Sequence, residues 1–137
     1  MITAVDTNVL LDVFGADPKF SAASGEALRR CLREGAVVAS EVAWAETATV
    51  FGDAGRFRDA MRKLAASFSP MTEEAAIRAA GAWRRYRTGG GPRDRIAADF
   101  LIGAHALVAA DRLLTRDRGF YRRYFAGLQV VDPTAGG

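Results

Sequence analysis

The sequence predicts a three-layer α/β/α fold, in which a mainly parallel central sheet is surrounded by helices. Short apolar segments alternate along the chain with longer segments whose apolar residues recur at helical spacing. The segment AVVAS at residues 36–40 is short and continuously apolar up to Ser40, which is typical of strands buried on both faces of a parallel sheet. Because 137 residues suffice for one hydrophobic core, we expect a single domain over residues 1–137.

The strands are predicted from short runs that are rich in apolar residues. These runs lie at residues 2–5, 36–40, 112–115 and 128–132. The helices are predicted from apolar residues that recur every three or four positions. These segments lie at residues 20–34, 41–51, 56–68, 73–87, 96–110 and 119–125, and a helix-compatible run also follows Asp6.

Several residues mark the ends of the predicted helices. Gly35 can stop the helix that precedes it, and Pro70 ends another. Ser40 and Thr72 can each cap the helix that follows. The segment TGGGPRDR at residues 88–95 holds three glycines and a proline, so it is predicted to be a loop.

The composition is typical of a folded globular protein. Half of the residues are hydrophobic and 26% are charged, which argues against disorder. No apolar run approaches the roughly 20 residues that a membrane-spanning helix needs. The chain opens on a strand pattern instead of a signal peptide, and its single Cys31 is expected to be a buried apolar residue. We therefore expect a cytoplasmic protein.

The basic residues are nearly all arginine, and they are clustered. Only two of the 19 basic residues are lysines; six arginines fall between Arg78 and Arg95, and five between Arg112 and Arg123. A GC-rich genome would explain the preference for arginine but not the clustering. Because the planar guanidinium suits phosphate, the clusters favour a nucleic-acid partner.

Four acidic residues follow predicted strands or stand early in helices. They are Asp6, Glu46, Asp99 and Asp117. The carboxyl ends of parallel strands meet at one edge of a sheet, which is where α/β folds form their sites. Several carboxylates at one edge would repel each other unless a cation neutralised them. Oxygen ligands favour Mg²⁺ or Mn²⁺.

Each of these acids also has a purely structural explanation. Asp6 and Asp99 could cap helices, Glu46 could pair with an arginine, and Asp117 could be a turn residue before Gly119. Glu46 and Asp99 nevertheless stand within apolar helical stretches, where solvated acids are not expected. Taken together, the four acids favour a site.

Other conspicuous residues are assigned to packing or to solvent. His105 lies six positions after Asp99, about 240° around a helix, and is expected to be a packed core residue. Asp12 is expected to face solvent. Trp44, Trp83 and Tyr86 could stack on bases, but their helical spacing favours core or dimer packing.

The segments around the four acids resemble the PIN domain family, and more narrowly the VapC toxins of toxin–antitoxin pairs. These segments are AVDTNVLLD, SEVAWAE, DRIAADFLIGAHAL and LLTRDRGF. Each is weak alone, but they occur in order, at the usual spacings, over essentially the whole chain. The resemblance implies an endoribonuclease that depends on Mg²⁺ or Mn²⁺ and cuts structured RNA such as transfer or ribosomal RNA.

The resemblance also implies the site residues and partners. The metal-binding, catalytic acids would be Asp6, Glu46, Asp99 and Asp117, with Asn8 and Thr115 orienting the carboxylates. A homodimer and a silencing VapB-type antitoxin are implied as well. Phe51, Phe57, Trp83 and Tyr86 could supply an apolar dimer face.

Arginines beside the acids could bind the phosphates that flank a metal-bound one. The candidates are Arg93, Arg95, Arg116 and Arg118, and each could instead be a solvated surface residue. The alternative function is a non-catalytic RNA-binding or partner-binding module that keeps the acids only as a cation site. The complete set of acids argues against this alternative.

Overall fold

The structure is a computed structural model that describes residues 1–90 and 97–135. Within these residues the chain forms five strands and seven helices. The strands are β1 (Ile2–Val5), β2 (Ala36–Ala39), β3 (Ala66–Phe68), β4 (Arg112–Leu114) and β5 (Gln129–Val131). The helices are α1 (Thr7–Phe14), α2 (Ser21–Glu34), α3 (Glu41–Ala48), α4 (Ala54–Leu64), α5 (Glu73–Thr88), α6 (Ala97–Ala109) and α7 (Arg118–Tyr124).

The five strands form one parallel sheet in the order β3-β2-β1-β4-β5. The chain builds outward from β1 through β2 to β3, and then crosses to the other side of β1 for β4 and β5. The direction of winding therefore reverses between β1 and β4. In parallel sheets the carboxyl ends of two such strands border a crevice, which is where ligands bind.

The central strands are buried on both faces. Thr3, Ala4 and Val5 of β1 are each at most 2% exposed, and all three residues of β4 are buried. Because successive side chains of a strand point to opposite faces, helices must cover both sides of the sheet. This confirms the predicted three-layer α/β/α arrangement with a parallel sheet.

The helix predicted over residues 56–68 is wrong in its last part. α4 ends at Leu64, and Ala65 adopts a left-handed conformation with φ of 61°. Residues 66–68 then pair with β2 as strand β3. The spacing of Leu64 and Phe68 suits a helix, but the backbone groups of β2 offer a partner that only the folded chain presents.

The aromatic side chains pack mainly against each other. Trp44 contacts the rings of Phe57 and Phe68 edge-on at 5.4 and 5.3 Å, and Trp83 and Tyr86 both contact Phe100. Phe57 and Tyr86 are buried, so these two residues cannot supply the expected apolar dimer face.

Cys31 is 1% exposed, which confirms the prediction of a buried cysteine. In residues 1–90 and 97–135, none of the helices is long and apolar enough to cross a bilayer.

Candidate active site

Asp6 lies at the switch point between β1 and β4. It follows β1 directly, and its backbone N–H donates to the carbonyl of Leu114 in β4 at 2.9 Å. Its side chain also caps α1, because one carboxylate oxygen accepts from the N–H of Thr7 at 2.7 Å. Asp6 is 4% exposed, so this helix cap lies in the protein interior.

The second oxygen of Asp6 is held by Thr115 and Asn8. The Thr115 hydroxyl donates to it at 2.7 Å, and the Asn8 amide nitrogen lies 3.4 Å away. The same Asn8 nitrogen is 3.3 Å from the Thr115 oxygen, which also accepts from the N–H of Asp117 at 3.0 Å. These contacts join the loop after β1 to the loop after β4 across the switch point.

Glu46 reaches this network through Thr7. The Thr7 hydroxyl donates to Oε1 of Glu46 at 2.7 Å, while the Thr7 backbone binds Asp6. One threonine therefore connects the first two predicted acids, which are 40 positions apart in the sequence. Thr7 was not among the predicted site residues, although its position between Asp6 and Asn8 was the available signal.

Asp99 and Asp117 are close enough to Tyr121 for their charges to act on it. The negative charge of Asp99 acts on Asp6, and both Asp99 and Asp117 act on the phenol of Tyr121. Burial, reinforced by the charges of Asp6 and Asp99, holds the pKa of Tyr121 well above its usual range, so the phenol stays protonated. Asp99 thus acts on Asp6 directly, whereas Glu46 and Asp117 are linked to Asp6 through Thr7 and Thr115.

Tyr121 is a further polar residue of this site, and it was not among the predicted site residues. Its side chain is fully buried, and within the described residues its hydroxyl has no partner that meets hydrogen-bond geometry, although it faces Asp6 closely enough to affect the pKa of both groups. The only sequence signal was a tyrosine four residues after Asp117. A buried hydroxyl of this kind leaves a donor free for a water molecule or a ligand.

The Asp6 carboxyl is strongly perturbed. Burial raises its pKa from 3.8 to about 6, and the charge of Asp99 adds to the effect. The hydrogen bonds from Thr115 and Thr7, and the nearby hydroxyl of Tyr121, oppose the rise without cancelling it. At neutral pH the protein therefore holds a carboxylate where negative charge is unfavourable, and a nearby cation would relieve this.

The donor set suits a hard cation, since the four acids offer only carboxylate oxygens. As the side chains stand, no three His, Cys, Asp or Glu residues in the described part of the chain are arranged to hold a metal ion. The chemistry and electrostatics of the site thus fit a divalent ion, whereas a closed coordination shell is not preformed.

The four arginine candidates differ in their surroundings. Arg93 and Arg95 lie outside the described residues. Arg118 is 48% exposed, and its nearest carboxylate is that of Asp132 at 3.7 Å. The guanidinium of Arg116 binds both oxygens of Asp12, at 2.7 and 3.0 Å.

The prediction that Asp12 faces solvent is wrong. Its side chain is 3% exposed, and it also accepts from the Ser24 hydroxyl at 2.7 Å. Spacing along α1 could not show that α2 and the loop after β4 both cover this face of the helix. His105 is packed as expected: it is 1% exposed and hydrogen-bonded to Ser69 at 3.0 Å. Burial lowers the pKa of His105.

Comparisons with known proteins agree with this architecture. The family model of the PIN domain matches residues 3–126. No curated protein sequence matches the chain. Among solved structures, VapBC2 from Rickettsia felis, bound to a DNA fragment from its promoter, is similar with a TM-score of 0.76 and 14% identity over 96% of this chain and 98% of that one.

Two further structures show the same fold. VapBC-1 from nontypeable Haemophilus influenzae has a TM-score of 0.74 and 21% identity, covering 98% of this chain and 99% of that one. DNA-bound VapBC from Salmonella typhimurium has a TM-score of 0.72 and 17% identity, covering 97% and 98%. The switch-point site, the parallel sheet and the match over residues 3–126 together establish that this chain belongs to the PIN domain family.

Proposed function

We propose that this protein is a VapC-type toxin. It would be an endoribonuclease that depends on Mg²⁺ or Mn²⁺, cleaves structured RNA such as transfer or ribosomal RNA in the cytoplasm, and thereby inhibits translation. Membership of the PIN domain family supports the nuclease activity. The likeness of its fold to chains of VapBC complexes supports a role as a toxin. A VapB-type antitoxin would silence it, and we expect a homodimer within the resulting complex.

The observation that carries this proposal is the environment of Asp6. A residue that only caps a helix has no need of burial, as Asp53 illustrates: it caps α4 through its side chain and is exposed. Asp6 is instead buried, held by Thr115 and Asn8, and placed beside Asp99. Retaining a carboxylate there is explained by a function that needs its charge.

The chain's own residues would hold the ion and orient its ligands. Asp6, Glu46, Asp99 and Asp117 would provide the ligating oxygens, Thr115 and Asn8 would orient Asp6, and Thr7 would orient Glu46. When bound, the ion would lower the pKa of a water molecule and stabilise the negative charge that develops on the phosphate. The nucleophile would then be water, and the protein's part is to position the carboxylates.

An RNA cleavage assay tests the proposal. Purified protein is incubated with total RNA in Mg²⁺ or in EDTA, beside the variants Asp6→Asn and Asp99→Asn. We expect cleavage only by the wild type and only with the divalent ion. Asp53→Asn is the matched control, because it removes the same charge from an exposed helix cap and should leave cleavage unchanged.

Equal cleavage by the wild type and both site variants would point to a contaminating ribonuclease and contradict the proposal. RNA binding without cleavage in Mg²⁺ or Mn²⁺ would instead favour the non-catalytic module. The antitoxin is tested separately by coexpressing the small DNA-binding protein encoded upstream, if one is present, and measuring whether it copurifies and suppresses cleavage.

A further inference from the structure

We infer that the second half of α5 and helix α7 form a binding surface for the RNA substrate, outside the acidic site. We call it the arginine surface and define it by Arg84 and Arg87 of α5 and Arg122 and Arg123 of α7. All four belong to the arginine clusters of the sequence, but none is among the individually named candidates for RNA binding. The inference rests on the proposed ribonuclease function and names where its substrate is held.

The positive charge of this surface is not compensated. All four side chains are exposed, and none makes an ion pair with any residue in the described ranges. Neither α7 nor α5 beyond Glu74 contains an acidic residue. Several other exposed arginines are paired within their own helices, as Arg29 is with Glu26 and Arg62 with Asp59. Uncompensated arginines on one surface create a field that attracts polyanions.

Helices α5 and α7 pack against each other. Arg85 of α5 donates to the backbone carbonyl of Tyr124, the last residue of α7, at 2.9 Å. The rings of Tyr86 and Tyr124 also meet at 5.4 Å between centroids. The arginines of α5 and α7 therefore sit on helices that are fixed relative to each other.

This surface borders the acidic site. α7 begins immediately after Asp117, and its Phe120 contacts the ring of Phe100 in α6 at 5.1 Å. Phe100 follows Asp99 directly and also stacks against Trp83 of α5 at 5.9 Å. An RNA strand bound at the acids can therefore extend along the protein to the arginine surface.

The side chains favour RNA over an acidic protein partner. Arg87 lies over the ring of Trp83 at 4.7 Å, and Arg123 lies near that of Tyr124 at 5.5 Å, which restrains two of the guanidinium groups. Restrained, planar guanidinium groups suit phosphates and can stack on bases. Since the substrate at the neighbouring acids would be a phosphodiester, the same molecule supplies the negative charge that this surface lacks.

The test measures tRNA binding in EDTA, where metal-dependent cleavage is absent. Fluorescently labelled bulk tRNA is titrated with wild-type protein, with Arg84→Gln/Arg122→Gln, and with the control Arg56→Gln/Arg58→Gln. The control removes the same number of charges from two exposed arginines of α4 that form no ion pair with the residues that the structure describes. α4 packs on the edge strand β3, whereas α7 packs on β5 at the opposite edge.

We expect the arginine-surface variant to bind tRNA about tenfold more weakly than the wild type at about 0.1 M salt. The slope of log K against log salt should fall by about 1.5, as expected for two lost phosphate contacts. The α4 control should match the wild type in both measurements. Melting temperatures establish that both variants are folded.

Equal affinities and equal salt slopes for the two double variants would overturn the inference. Weaker binding of an acidic polyglutamate probe by the arginine-surface variant, with tRNA binding unaltered, would assign the surface to a protein partner and also overturn it. The outcome is separate from that of the cleavage assay. If the protein binds tRNA through this surface but never cleaves it, the inferred binding surface stands and the proposed nuclease activity is refuted.

Discussion

Arg116 and Asp12 form a two-point ion pair beside the acidic site, with Nε of the guanidinium 2.7 Å from one carboxylate oxygen and Nη2 3.0 Å from the other. The guanidinium also lies 3.9 Å from the centroid of the Phe20 ring. Because the backbone N–H of Arg116 donates to the Asn8 side chain at 3.3 Å, the pair anchors the loop that carries Thr115 and Asp117. Arg116 thus acts on the site through its neighbours.

Replacing Arg116 with glutamine is expected to destabilise the protein by about 2–3 kcal/mol, because the buried Asp12 carboxylate would lose its ionic partner. Urea unfolding measures this loss. Arg118→Gln is the matched control. Its side chain is 48% exposed and 3.7 Å from Asp132, so the change should be below about 0.5 kcal/mol. Equal losses of unfolding free energy in the two variants would show that the ion pair between Arg116 and Asp12 contributes no more than a surface pair.

The stability of the protein should depend on the ionisation of Asp6. Its pKa is about 6 in the folded protein and near 3.8 in the unfolded chain. The folded state therefore binds more protons between these values, and its stability falls as the pH rises from about 4 to about 6. The full effect is about 3 kcal/mol and persists above pH 6.

Asp6→Asn should lack this pH dependence. We expect the unfolding free energy of the variant, measured in EDTA, to decline less than that of the wild type from pH 4 to pH 7. Profiles of the two proteins that run parallel would contradict the raised pKa. A gain in stability together with a loss of cleavage would show that the charge is kept for function.

A divalent ion should stabilise the wild-type protein. Mn²⁺ or Mg²⁺ at 100 times its dissociation constant would raise the free energy of unfolding by about 2.7 kcal/mol, because the ion binds the folded state only. Thermal unfolding at pH 7.5 measures the shift, which should vanish in Asp99→Asn and persist in the exposed-cap control Asp53→Asn. An equal shift of the unfolding temperature in all three proteins would show that the ion binds outside the proposed site.

The hydroxyl of Thr7 should matter for metal binding. Thr7→Val keeps the shape of the side chain but removes the hydrogen bond to Glu46, whereas Thr7→Ser keeps the hydroxyl. We expect the valine variant to bind Mn²⁺ at least tenfold more weakly, as is usual when a partner of a metal ligand is lost. The serine variant should bind like the wild type. Isothermal titration calorimetry compares the variants. Equal affinities of the two variants for Mn²⁺ would show that the Thr7 hydroxyl has no role in metal binding.

The local sequence was sufficient to predict most of the fold. Short runs rich in apolar residues predicted four of the five strands, since the strands of a parallel sheet buried on both faces have no alternating pattern. β3 was missed because Ala66–Phe68 continues the helical spacing of α4, and its strand conformation depends on pairing with β2. Likewise, the acids could be proposed from their positions after strands, because the carboxyl ends of parallel strands share one edge.

Which side chains meet was decided only by the tertiary structure. Asp12 and Arg116 are 104 positions apart, and the pairs Asn8–Thr115 and Asp6–Thr115 are 107 and 109 positions apart. No spacing along the chain predicts contacts of this kind. Thr7 and Tyr121 entered the site for the same reason. Secondary structure depends on periodicities of a few residues, and these can be read directly from the sequence. Hydrogen bonds, buried charge and shifted pKa values arise between distant segments, and they exist only once the sheet order has set β1 beside β4.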